Sequence, residues 1–89
     1  LTNLENLFLS ENLIGEIKGL EPLTNLETLD LGQNKIIHIQ GLESLMKLKD
    51  LWLADNLIPE KILNQLGGID SGGCANDPIK FVQYCLVNL

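Results

Sequence analysis

The sequence is poor in positive charge and in aromatic side chains. It has six lysines and no arginine against twelve acidic residues, which gives a net charge of −6, and only 4% of its residues are aromatic. Nucleic-acid binding depends on a basic surface that releases counterions from phosphates. We therefore expect no nucleic-acid ligand.

Cysteine is scarce as well, and long apolar runs are absent. Cys74 and Cys85 are too few for a disulfide framework, and their spacing is not that of a zinc site. Without a run of about 18 apolar residues, we expect no membrane span. No signal peptide or Asn-x-Ser/Thr sequon is visible, which argues against a secreted protein. Because Leu1 falls in mid-pattern, we expect this sequence to be a piece of a longer protein.

Leucine, in contrast, is abundant, and it recurs in a repeat of 22 residues. The repeat is visible in LENLFLSEN at 4–12, LETLDLGQN at 26–34 and LKDLWLADN at 48–56. Its frame is L-x-x-L-x-L-x-x-N followed by I-x-x-I-x-G-L-x-x-L, and the third unit departs from it at Pro59. A self-similar unit of this length is typical of stacked repeat architectures.

The frame predicts short parallel strands whose paired leucines point inward, because one repeat cannot bury its own apolar face. Asn12, Asn34 and Asn56 are predicted to form a buried ladder of amides that bond turn backbone. Gly19 and Gly41 suit a left-handed or closely approached backbone at the entry to the return segment.

This frame resembles the leucine-rich repeat, and in particular the 22-residue subfamily typified by the regulatory subunit of type-1 protein phosphatase. The resemblance covers residues 1–58 and implies an α/β solenoid, with strands on a concave face and 3-10 or irregular return segments on a convex face. It further implies an intracellular, non-enzymatic protein-binding module that regulates type-1 protein phosphatase, located in the cytoplasm, the nucleus or a cilium. The alternative is an axonemal or cytoskeletal scaffold with the same fold.

The column between the paired leucines holds Phe8, Asp30 and Trp52. An aspartate would be costly in a core, so the column is predicted to be displayed, with Trp52→Ala changing stability by less than about 1 kcal/mol. Aromatic anchors bordered by acid predict a surface for a protein partner of basic or mixed charge, here a phosphatase catalytic subunit if the resemblance holds. The predicted partner-binding residues are Phe8, Asp30, Asp50, Trp52 and Asp55; in the phosphatase regulator, residues matching Asp30, Asp50 and Trp52 contact the phosphatase.

The tail, residues 59–89, loses the repeat frame. Residues 59–68 predict a short helix, 69–77 a loop, and 77–89 a second helix that starts at Asp77 and Pro78. The apolar face of that helix is predicted to be Ile79, Val82, Leu86 and Leu89. A strand is the alternative for 77–89, and the tail is either a C-terminal helical cap over the last repeat or unrelated sequence.

No arrangement of residues predicts catalysis. His38 is expected on the solvated convex side, and Asp30 and Asp50 lie on an open sheet without the burial that tunes acidity. Cys74 lies in a glycine-rich loop with no neighbour that would activate it. We therefore expect no enzyme, no cofactor, no metal site and no small-molecule substrate.

Overall fold

The computed structural model describes residues 3–89, in which three short strands precede two helices. Leu1 and Thr2, which the predicted repeat region includes, lie outside the described residues. The strands form one parallel sheet in the order β1-β2-β3. The elements are β1 (Asn6–Phe8), β2 (Thr28–Asp30), β3 (Asp50–Trp52), α1 (Glu60–Gln65) and α2 (Pro78–Val87).

The register of the sheet confirms the 22-residue repeat. Leu7 pairs with Leu29 and Leu29 with Leu51, so equivalent positions of successive repeats lie side by side. Each strand has only three residues. A central leucine points into the core, and the residue on either side of it points outward.

The core contains the inward-facing leucines of the second and third repeats. Leu29, Leu31, Leu51 and Leu53 are buried, and burying one such side chain stabilises the fold by about 1.5–3 kcal/mol. The corresponding leucines of the first repeat are half-buried, since within residues 3–89 no further repeat covers them.

The predicted hydrogen bonds of the asparagine ladder are confirmed for Asn34 and Asn56, of which Asn34 is buried and Asn56 half-buried. The amide nitrogen of Asn34, a residue only 5% exposed, donates to the Leu9 carbonyl at 3.0 Å, and its oxygen accepts from the Ile14 N–H at 3.1 Å. Asn56 makes the equivalent bonds one repeat later. The prediction that Asn12 is buried is wrong: it is exposed and bonds only carbonyls of its own turn, because no repeat precedes it in the described part.

The return segments are irregular and turn through hydrogen bonds to the third residue back. Leu45 N–H, for example, donates to the Leu42 carbonyl at 3.0 Å. Gly19 and Gly41 have φ values of 81° and 76°, which confirms the predicted left-handed backbone. At Gly41 a Cβ would lie 2.6 Å from the Ile17 carbonyl oxygen, so a side chain has no room there.

The first half of the tail has the predicted helix and loop, together with a contact to β3 that was not predicted. Helix α1 follows Pro59 and ends before Gly67 and Gly68, both with positive φ, in agreement with the predicted short helix. Residues 69–77 form the predicted loop, and part of its backbone also pairs with β3 through an isolated antiparallel bridge. Leu53 N–H donates to the Gly73 carbonyl at 2.9 Å, and Ala75 N–H to the Leu51 carbonyl at 2.7 Å.

Helix α2 confirms the predicted second helix and rules out the strand alternative, but its predicted apolar face is right for Ile79 and Val82 and wrong for Leu86 and Leu89. Phe81, Val82 and Cys85 are buried, whereas Leu86 and Leu89 are 40% and 85% exposed. The helix is turned toward Phe81 because the ring offers more apolar surface for burial than either leucine. Asp77 occupies the N-cap position without a side-chain hydrogen bond, and Pro78 takes the first helical position.

Candidate interaction surface

The outer side of the sheet, hereafter the display face, is formed by the residues that flank the buried leucine of each strand. Side chains alternate between the two sides of a strand, so once the leucines face the core their neighbours must face out. The display face consists of Asn6, Phe8, Thr28, Asp30, Asp50 and Trp52.

Two aromatic side chains lie on the display face with an acid between them. The register pairs Phe8 with Asp30 and Asp30 with Trp52, which places the aromatic residues two strand spacings, or about 10 Å, apart. Phe8 is 65% exposed and Trp52 is 36% exposed. The predicted orientation of the column is therefore confirmed.

Trp52 is less exposed than Phe8 because the tail lies against its ring. A Cβ built on Gly72 would be 3.6 Å from Cζ3 of Trp52, which places the tail backbone at the edge of the indole. The neighbouring Gly73, with φ of 92°, approaches so closely that an added Cβ would lie 3.1 Å from Cα of Ala54. Only glycine fits this approach.

The three predicted aspartates have different surroundings. The Oδ1 atom of Asp30 accepts a hydrogen bond from Gly32 N–H at 3.0 Å, which fixes the orientation of the half-buried carboxylate. Oδ2 of the exposed Asp50 accepts a longer bond of 3.4 Å from the Thr28 hydroxyl. Asp55 follows β3 with φ of 57° and is exposed, and within residues 3–89 its carboxylate has no hydrogen bond or ion pair.

The structure brings three of the five predicted residues together around one cavity of about 280 Å³. Asp30, Trp52 and Asp55 line it, whereas Phe8 and Asp50 lie on the display face outside it. The cavity lining is Ser10, Asp30, Gly32, Gln33, Trp52, Ala54, Asp55 and Gly72.

Sequence reasoning missed the contribution of Gly72 to this cavity. A signal was present, since Cys74 stands 22 residues after Trp52 and thus continues the column of Phe8 and Asp30. The bridge between Trp52 and Cys74 is antiparallel, however, and no residue of 69–77 repeats the leucine frame that would have indicated pairing.

The charge around the display face is predominantly negative. Lys49 is the one lysine predicted at its rim, and its Nζ lies 3.5 Å from Oε1 of Glu27. Both side chains are largely solvated, so this pair contributes little to stability. It does partly neutralise the positive charge of Lys49 beside the display face.

The groups that could carry chemistry are scattered. His38 is exposed on a return segment, as predicted. Burial raises the pKa of the Cys74 thiol, and the negative charges of Asp70 and Asp50 raise it further. A hydrogen bond with the Leu51 backbone has the opposite effect on this pKa. Within residues 3–89 no three potential metal ligands cluster, and no helix has the length and apolarity to span a bilayer.

Comparison with known proteins gives one family. Residues 2–43 match the family model described as Leucine Rich repeats (2 copies). No curated protein gives a significant match to the chain. The parallel three-stranded sheet fits the fold of this family, and the third repeat continues the same register beyond the matched segment. Residues 2–43 are therefore similar to leucine-rich repeats, a class of repeat that is typically non-enzymatic and generally mediates protein–protein interaction.

Proposed function

We propose that the chain is a non-enzymatic module that binds a protein partner on its display face. The observation that carries the proposal is the column formed by Phe8, Asp30 and Trp52, in which two exposed aromatic residues flank a carboxylate. Large aromatic side chains dominate the energetics of protein interfaces when a partner covers them. Phe8, Asp30, Asp50, Trp52 and Asp55 are the proposed contact residues.

The charge of the surface supports a partner with a basic or mixed surface. The one lysine predicted at the rim is paired with Glu27, and within residues 3–89 the remaining carboxylates of the face and its rim form no ion pair. Complementary charge speeds encounter and selects the partner. These carboxylates are Glu5, Glu11, Asp30, Asp50 and Asp55. Nucleic acid, membrane and small-molecule ligands are not part of the proposal.

The proposed module also has a defined architecture, a repeat solenoid closed by a C-terminal cap. The repeats form part of a solenoid with the display face on its concave side, and residues 59–89 cap its C-terminal end. The capping role is supported by the pairing of residues 73–75 with the edge of β3 and by the burial of Phe81, Val82 and Cys85 in the common core. A covered edge cannot accept another parallel repeat.

The partner proposed most specifically is the catalytic subunit of type-1 protein phosphatase, with the module in the cytoplasm, the nucleus or a cilium. The 22-residue frame and the placement of Asp30, Asp50 and Trp52 support it through the resemblance to the phosphatase regulator. An axonemal or cytoskeletal scaffold is the alternative, since axonemal repeat proteins belong to the same subfamily of 22-residue repeats that this sequence resembles.

Calorimetric titration of the chain with the purified phosphatase catalytic subunit tests the proposal. We expect the subunit to bind, and Trp52→Ala and Asp30→Asn each to weaken binding at least about tenfold, as loss of an interface hot spot does. Asparagine keeps the oxygen that accepts from Gly32, so the second variant preserves the local fold. The matched control is Leu57→Ala, which removes an exposed apolar side chain away from the display face.

Two outcomes would contradict the proposal at different levels. If the wild-type chain does not bind, the phosphatase is not the partner, and axonemal proteins become the next probe. If binding is unchanged in both Trp52→Ala and Asp30→Asn, the interface lies away from the display face. Circular dichroism of every variant excludes unfolding as the cause of lost binding.

A further inference from the structure

The cavity beside Trp52 has walls from two separate parts of the chain. The repeats supply Asp30, Trp52 and Asp55, and the tail supplies Gly72 opposite the indole edge. Its volume of about 280 Å³ lies at the lower limit of the roughly 300–1,000 Å³ pockets that hold small-molecule ligands. This size suits a single long side chain.

The lining of the cavity selects for positive charge. Asp30 is oriented by its bond from Gly32, which occupies only Oδ1, and the Asp55 carboxylate has no partner among residues 3–89. Among the described residues that line the cavity there is no lysine. The indole adds a second attraction, because the face of a tryptophan ring binds cations through its quadrupole.

We propose that this cavity receives one arginine side chain of the protein partner. The guanidinium lies against the Trp52 ring and donates hydrogen bonds to the carboxylates of Asp30 and Asp55. Arginine is the better occupant than lysine, because its planar group stacks on aromatic rings and presents several donors in a fixed geometry. This inference rests on the proposed function and names the chemistry that the display face recognises.

The tail is then a part of the binding site as well as an end to the repeats. Oδ1 of Asp70 accepts from Gly72 N–H at 2.9 Å and from Cys74 N–H at 3.0 Å, and these bonds hold the loop that forms the tail wall. Asp70 is accordingly a positioning residue for the cavity. The repeats alone would leave the cavity open on that side.

The only tryptophan of the chain lies in the cavity, so its fluorescence reports occupancy directly. The probe is the peptide acetyl-Gly-Arg-Gly-amide, and its control replaces arginine by citrulline, which has nearly the same shape without the charge. We expect a saturable change in emission with the arginine peptide and at least tenfold weaker binding of the citrulline peptide. The lysine peptide is expected to fall between them.

Charge variants complete the test. Asp55→Asn is expected to weaken binding of the arginine peptide at least threefold, whereas Glu21→Gln, an exposed acid on a return segment, leaves it unchanged. Equal binding of the arginine and citrulline peptides, or wild-type affinity in Asp55→Asn, overturns the inference. The result is separable from the proposed function. If Trp52→Ala weakens capture of the protein partner while no arginine peptide binds, the display face remains the interface and the arginine assignment falls.

Discussion

Trp52 forms an antiparallel bridge with Cys74, which lies one repeat length later in the chain. A parallel array would place the next repeat at this edge, but the tail reverses direction and pairs there instead. An unpaired edge exposes a row of backbone donors and acceptors that invites association with other chains. The tail therefore satisfies the edge of β3 and at the same time shapes the cavity beside Trp52.

The close approach of the tail to β3 should make Gly73 intolerant of a side chain. At Gly73→Ala the new Cβ would press on Ala54, and the φ of 92° is unfavourable for alanine, so we expect a loss of about 3 kcal/mol in unfolding free energy. The control is Gly19→Ala, which has φ of 81° but no atom within 4 Å of the added Cβ. Backbone strain alone should cost about 1 kcal/mol there. Urea denaturation measures both, and equal losses would mean that the contact with Ala54 is unimportant.

The asparagines of the ladder should contribute unequally to stability, Asn34 more than Asn12. Asn34→Ala leaves the Ile14 N–H without its side-chain acceptor and removes one of the two amide donors to the Leu9 carbonyl, and we expect a loss of about 3 kcal/mol. Asn12→Ala removes an exposed amide that bonds only its own turn, so we expect a loss of about 1 kcal/mol or less. Thermal or urea unfolding of the two variants provides the comparison. A larger loss at Asn12 would contradict the view that burial sets the contribution of each amide.

The two aromatic residues of the display face should also differ in their effect on stability. The tail covers much of Trp52, so the structure raises the expected cost of Trp52→Ala from under 1 to about 2 kcal/mol. Phe8→Ala should cost less than about 1 kcal/mol, because that ring is 65% exposed. Equilibrium unfolding of both variants tests this difference. If Trp52→Ala is as mild as Phe8→Ala, the ring does not pack on the tail in solution.

The thiol of Cys85 should make stability fall at alkaline pH. Burial raises its pKa and the Glu43 carboxylate raises it further, against a bond to the Leu42 backbone that lowers it. Because the pKa is higher in the folded state, this stabilisation is complete below the unfolded pKa of about 8.5 and is lost as pH rises through the folded pKa. We expect wild type to lose more stability than Cys85→Ala between pH about 7 and about 9.5 in urea titrations. Parallel losses in the two proteins would exclude Cys85 as the cause.

Much of the repeat region was predictable, because its contacts recur at a fixed spacing. Leu29 and Leu51 occupy equivalent positions of the frame, so locating one in the core locates the other. The direction of the Trp52 column followed from Asp30, whose charge is incompatible with a core. The burial of Asn12 was predicted wrongly. The repeat frame does not show that, in the described part of the chain, no repeat precedes the one that contains Asn12.

The tail was less predictable, because its contacts do not repeat. Both helices were found, yet the sequence favoured Leu86 and Leu89 for the inner face of α2 where the structure buries Phe81 and Cys85. Periodicity allowed both faces, and only the shape of the surface that α2 covers distinguishes them. The assignment of 69–77 as a loop is confirmed, but the pairing of this loop with β3 was not predicted, since that pairing uses backbone atoms and glycines without a side-chain signature.

The sequence by itself determined the repeat, its register, the inward leucines and the outward column of Phe8, Asp30 and Trp52. These features depend on the alternation of side chains along a strand and on a period written into the chain. Only the tertiary structure decided that the tail turns back along β3 and that Gly72 completes a cavity beside Trp52. The physical reason is that this contact is made by backbone without a side chain, and the alternation of residue types in the sequence does not record it.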